Sequence, residues 1–188
     1  MTTIAILAGG ESSRMGRDKA LLEFDGEKLL ERIAREASDL TEVAVVGRTD
    51  SEHFDLPGVA FLADRRPGLG PLGGLRTALE QLDGPVVLVG CDMPLVDAEA
   101  LRWLVDAFEE SGGAAGLVAE TDDGLQPLFA VYTDALLPTI DQMLAAHERS
   151  LHRLVRRADL PSRRPTSEVA ERLVNVNTPE DFRSLNDR

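Results

Sequence analysis

The chain has 188 residues, one domain's length at the usual size of about 150 residues per domain, and its 43% hydrophobic content with a mean hydropathy of -0.11 suits a soluble core. Twenty basic against 33 acidic residues leave a net charge of -13, which disfavours general binding to nucleic acid or to an anionic membrane. A small phosphorylated ligand stays possible, provided that a local cluster of cations and backbone N–H groups outweighs the global field. One cysteine, Cys91, excludes an internal disulfide framework and a cysteine zinc site, and the three scattered histidines (His53, His147, His152) form no metal cluster in sequence. Met1 runs directly into an apolar strand without a basic leader, and no apolar run reaches the roughly 20 residues that cross a bilayer. The expected setting is therefore the reducing cytoplasm.

In chain order, residues 4–7, 43–46, 59–62, 86–89 and 117–119 are short apolar runs with few charges, the pattern of strands covered on both faces. Between them, 28–38, 73–82, 98–109, 136–146 and 151–157 carry apolar residues at helical spacing, with Pro94 and Asp97 as a start signal for the third. Residues 120–124 read as a polar turn leading into a run over 126–131, and 157–167 as the most loop-like stretch, with two prolines and three arginines. Strand–helix alternation without a long linker or repeat predicts one α/β domain spanning 1–188, a three-layer α/β/α unit on a mostly parallel, Rossmann-like sheet.

Three stretches carry chemistry. Leu7-Ala8-Gly9-Gly10 ends a strand in a glycine pair whose backbone can approach phosphate oxygens, Ser12 and Ser13 add hydroxyls, and Arg14, Arg17 and Lys19 gather three cations within six residues. The spacing fits neither a Walker A loop nor the dinucleotide fingerprint, and the same residues also suit an ordinary βα turn. Val86-Val87-Leu88-Val89-Gly90-Cys91-Asp92 places a carboxylate just past a strand end, where open α/β sheets bind ligands and where Mg²⁺ finds a carboxylate plus phosphates; Asp92 could equally just begin the next loop. Cys91 reads as a small buried residue, not a nucleophile. Asp64-Arg65-Arg66-Pro67-Gly68-Leu69-Gly70-Pro71-Leu72-Gly73-Gly74 joins a strand end to a helix and can wrap a flat ligand, or serve as plain turn chemistry.

Taken together, these stretches resemble the molybdenum cofactor guanylyltransferases, small MobA-like nucleotidyltransferases of the nucleotide-diphospho-sugar transferase type. The likeness rests on the opening glycine and basic motif, on Arg66-Pro67-Gly68 with Gly70-Pro71-Leu72, on Cys91-Asp92-Met93-Pro94, on Gln126-Pro127-Leu128-Phe129 and on Asn175-Val176-Asn177-Thr178-Pro179-Glu180-Asp181, in that order over almost the whole chain. The resemblance implies transfer of GMP from GTP to molybdenum-molybdopterin, giving molybdopterin guanine dinucleotide and pyrophosphate. It implies nucleotide contacts from Leu7, Ala8, Gly9, Gly10, Lys19 and Asp64, catalytic roles for Arg14, Lys19 and Asp92, and Mg²⁺ on Asp92. Gln126, Asn175 and Asn177 would face the pterin, the two asparagines alternating at the end of a strand-like Leu173-Val174. Partners would be the proteins that hand over the cofactor and the molybdoenzymes that receive it. One departure stands out: where such proteins commonly have an asparagine before an arginine, this chain reads Gly47-Arg48. A cytidylyltransferase, a sugar-phosphate nucleotidyltransferase and a silent nucleotide-binding homologue are the alternatives.

Overall fold

The apolar runs become the strands of one sheet because alternate side chains can be buried on both of its faces. In a computed structural model describing residues 2–9, 18–112, 115–176 and 178–186, the elements are β1 (Thr3–Leu7), β2 (Glu23–Phe24), β3 (Glu27–Lys28), α1 (Leu29–Ser38), β4 (Val43–Val46), β5 (Ala60–Leu62), α2 (Gly70–Gln81), β6 (Val86–Gly90), α3 (Ala98–Glu110), β7 (Gly116–Thr121), β8 (Gly124–Tyr132), α4 (Leu137–Ala145), α5 (Leu151–Arg157), β9 (Ser162–Arg163), α6 (Ser167–Ala170) and α7 (Pro179–Asn186). Seven strands pair in the order β5-β4-β1-β6-β8-β7-β9, and β2 with β3 forms a separate hairpin. The β5-β4-β1-β6 half is parallel throughout; β8 runs antiparallel to both β6 and β7.

Two apolar layers sandwich this sheet. Ile4, Ile6, Val45 and Val89 meet Leu30 and Ile33 of α1 and Leu101 and Leu104 of α3 on one side. Ala5, Leu88, Val118 and Tyr132 meet Leu75 of α2, Ile140 of α4 and Leu154 of α5 on the other. The predicted three-layer α/β/α arrangement is thus present. Among the described residues no helix is long and apolar enough to cross a membrane.

Three local readings are corrected. The second main helix starts at Gly70 instead of 73: Pro71 suits the first turn, where a missing N–H costs nothing, and glycine stands at 73 and 74 within the helix because a Cβ there would meet Leu69 Cβ at 2.6 Å and Leu7 Cδ2 at 2.5 Å. The loop-like 157–167 stretch hides β9, two exposed residues paired in parallel with β7, too short to show any alternation. Leu173 and Val174 are not a strand; the chain passes there without regular structure, tied by the Val176 amide to the Asp92 carbonyl at 2.8 Å.

The order of the parallel strands fixes where a ligand can sit. From β1 the chain winds outward through β4 to β5, then returns to β1's other side as β6. The carboxyl ends of β1, β4, β5 and β6 therefore release their loops along one edge, around the reversal point where such sheets bind ligands.

Candidate active site

Each strand end on that edge is held by backbone hydrogen bonds. The Ala8 amide donates to Val46 O (3.1 Å), the Gly47 amide to Leu62 O (2.9 Å) and the Cys91 amide to Leu7 O (3.1 Å). The loops they launch enclose an inner cavity of about 200 Å³ and an outer one of about 970 Å³, which share Ala8, Gly9, Asp18, Gly47, Asp64 and Gly70. Leu7, Lys19 and Asp92 line the inner part. Of the residues expected to bind a nucleotide, Leu7, Ala8, Gly9, Lys19, Asp64 and Asp92 are thus brought together from the stretches that follow β1, β5 and β6. Gly10 and Arg14 lie outside the described residues.

Asp92 is seated on Gly90: a Cβ there would lie 2.5 Å from Asp92 Oδ1. Its other oxygen, Oδ2, accepts from Lys19 Nζ at 3.1 Å, both side chains being more than four-fifths buried. A pair so placed is little screened by solvent. Asp64 accepts from the buried Thr77 hydroxyl of α2 at 2.9 Å, which fixes its rotamer at the cleft wall. The uncapped first turn of α2 borders the same cleft through Gly70 and Pro71, and its unsatisfied N–H groups favour an anion.

A second layer holds Lys19 in place. Asp18 caps the turn Lys19–Leu21, its Oδ1 accepting from the Ala20 amide at 3.1 Å. Its Oδ2 accepts from Arg48 Nη1 at 2.7 Å. The Arg48 side chain is 8% exposed, also grips Asp50 through Nε at 2.9 Å and through Nη2, and lies 5.0 Å above the Phe54 ring. The hydrogen bonds that Arg48 donates to Asp50 and then to Asp18 raise its pKa, and the guanidinium in turn holds the Asp50 carboxyl below its ordinary value. Sequence reading missed Asp18 and Arg48, although an Asp beside the key lysine was its available signal.

Next to this cleft is a pocket of about 460 Å³ bordered by Gln126, Arg149, Ser150, His152 and Asn175. Asp92, Pro71 and Leu128 line both it and the inner cleft. Gln126 and Asn175, expected on a second-substrate side, do meet there; Asn177 lies outside the described residues. The pocket exists because β8 departs from its ladder. Val118 of β7 pairs with Ala130 but the next residue, Ala119, pairs with Gln126, so Pro127, Leu128 and Phe129 have no counterpart in β7. Pro127 offers no N–H to a ladder, and its carbonyl accepts from the buried Tyr132 hydroxyl at 2.8 Å. Arg149, Ser150 and His152 escaped the sequence reading, because nothing local ties the α4–α5 turn to Asp92.

Cys91 is buried, and desolvation, then the neighbouring Asp92 charge, pushes its thiol up to about 12. A thiol held protonated is a poor nucleophile, which suits Cys91 to packing at the strand end. Among the described residues no group of three His, Cys, Asp or Glu side chains is disposed to hold a metal alone. A lone Asp92 fits Mg²⁺, which commonly takes one or two carboxylates and completes its shell with water and phosphate oxygens.

Known proteins resemble this chain in sequence and in fold. The family model for the MobA-like NTP transferase domain matches residues 4–163. A protein of Carboxydothermus hydrogenoformans named probable molybdenum cofactor guanylyltransferase is 32% identical, the match covering 97% of this chain and 94% of that one. A protein of the same name from Deinococcus radiodurans is 36% identical over 99% of this chain and 94% of its own. Among solved structures, molybdopterin-guanine dinucleotide biosynthesis protein A from Archaeoglobus fulgidus superposes with a TM-score of 0.82, at 24% identity and with 98% and 97% of the two chains covered.

Proposed function

The chain belongs to the MobA-like NTP transferase family, and from that premise we propose that it transfers GMP from GTP to molybdenum-molybdopterin, releasing pyrophosphate and giving molybdopterin guanine dinucleotide. One observation carries the reading: the Lys19–Asp92 pair stands where the nucleotide cleft opens into a second pocket. A reaction that joins two phosphorylated molecules needs its charge-neutralising groups at such a junction.

In this reading the triphosphate lies along Gly9, the α2 N-terminus and Lys19, and the base and ribose fill the outer cavity beside Asp64. The pterin occupies the pocket of Gln126 and Asn175. An oxygen of the acceptor's terminal phosphate forms a bond to the α-phosphorus of GTP, the bond from that phosphorus to the bridging oxygen breaks, and pyrophosphate leaves with the electron pair. A phosphate monoester has its second pKa near about 6, so the attacking oxygen already carries its charge at neutral pH and needs no general base. The protein's work is positioning and neutralisation. Lys19 would supply a cation to the phosphates, and Asp92 would hold the metal. Mg²⁺, held by Asp92 and the phosphates, would offset the charge that builds on the leaving pyrophosphate. The same reading keeps the protein in the cytoplasm, between proteins that deliver the cofactor and molybdoenzymes that take it.

The test is pyrophosphate release with GTP, CTP, ATP or UTP and molybdenum-molybdopterin, with and without Mg²⁺. Magnesium-dependent turnover of GTP alone supports the assignment; equal turnover of CTP overturns the guanine assignment. Lys19→Ala should lose about 10²-fold in kcat/KM, the scale of one missing partner for transition-state charge. Asp92→Ala should abolish the magnesium dependence together with turnover, and unchanged product formation by that variant would remove its metal role.

A further inference from the structure

Arg149 belongs to the turn between α4 and α5, far in sequence from the nucleotide loops, yet it touches both halves of the site. Its Nη1 donates to the Gly68 carbonyl at 2.6 Å, across 81 residues of chain. Gly68 and Gly70 sit at φ +80° and +66°, in the left-handed region, and with Pro67 they form a wall of the outer nucleotide cavity. Arg65 to Gly68 are exposed. Among the described residues the Arg149 contact is the only hydrogen bond reaching the backbone of residues 65–68 from a distant element. On its other side Arg149 lines the second pocket, where it is the only arginine or lysine among the lining residues.

We infer that Arg149 is a positioning residue that clamps the 64–70 loop over the nucleotide and links its order to the second pocket. The inference rests on the nucleotide reading of the cleft given above. A loop with two left-handed glycines and no ladder of its own has many conformations open to it, and ordering it costs conformational entropy at the moment of nucleotide binding. A charge-assisted hydrogen bond onto its middle removes part of that cost beforehand. The same side chain lines the second pocket, where it is the only arginine or lysine among the described lining residues. An acceptor phosphate there would pull on the group that holds the nucleotide wall, so that each substrate favours the closed loop for the other.

Two measurements on the intact protein test this, one independent of GTP. The first is trypsin cleavage at Arg65–Arg66, the susceptible bond of the loop, since Arg66 precedes Pro67. Arg149→Ala should speed this cut at least fivefold at an unchanged melting temperature, whereas Arg153→Ala, one turn further on, should not. The second is calorimetric GTP binding, which Arg149→Ala should weaken about tenfold. Arg149→Lys should restore most of it, because one N–H bond to a carbonyl does not need the guanidinium fork. Unchanged cleavage and unchanged GTP affinity in Arg149→Ala would overturn the clamp. Faster cleavage in a protein whose wild type binds no GTP would support the clamp and refute the nucleotide reading instead.

Discussion

Gly47, where such proteins commonly carry asparagine, sits at φ +92° with its Cα so close to Gly9 that a Cβ would lie 2.7 Å from Gly9 Cα. Conversely, a Cβ on Gly9 would lie 2.8 Å from Gly47 Cα. The loops after β1 and β4 therefore touch backbone to backbone. That contact cannot be read from sequence, because it depends on two glycines 38 residues apart. The neighbouring Arg48 acts through Asp18 on the turn that carries Lys19. Arg48→Ala should lower kcat about tenfold while KM for GTP changes less, because Lys19 loses its placement but keeps its charge. Arg48→Lys should recover little, since a point charge cannot hold Asp18 and Asp50 together as the planar fork does. Steady-state kinetics on the two variants checks both statements.

At the scale of elements, β1, β4 to β8 and the four longer helices were legible within a few residues, whereas the two-residue β2 and β3 were not, because only burial over several residues imposes periods of 2 and 3.6 that survive in the sequence. What failed was structure without a period: two-residue β9, the glycine-rich first turn of α2, and the irregular passage through Leu173 and Val174. The departure of β8 at Pro127 was equally hidden, although its residues were singled out as a motif. This element can be loosened selectively. Tyr132→Phe leaves the Pro127 carbonyl without its buried donor and should cost about 1–3 kcal/mol of stability, the usual penalty for an orphaned buried group. Because Gln126 and Leu128 flank that carbonyl, KM for the acceptor should rise severalfold while GTP binding holds. A denaturant melt and a KM comparison for the two substrates give the answer.

At the scale of the whole molecule, the net charge of -13 disfavours polyanion binding in general, but says nothing of where the cations stand. The fold supplies the rest by joining Lys19 to Asp92, 73 residues apart. Stability against pH should follow from two opposed effects. As pH falls from 7 toward the isoelectric point near 4.6, carboxylate repulsion declines and stability rises or holds. Below that, Asp50 and Asp141, both held under their ordinary values by hydrogen bonds from Arg48 and Arg76 respectively, begin to protonate. A carboxyl with a lowered folded pKa contributes stability above its unfolded value of about 3.9 and loses it as pH drops through the folded one. Melting temperatures should therefore peak near pH 5 and fall steeply below about 4; a peak at pH 7 or above would contradict the charge argument. The buried sulfur beneath the reaction centre has a practical consequence too. As the chain's single thiol, buried just past the end of β6 yet lining the inner cavity, Cys91 is a built-in clock: a thiol-reactive dye reaches it only by way of that cavity or when the strand ends part, so its labelling rate times the opening of the centre, and a bound substrate should slow that clock.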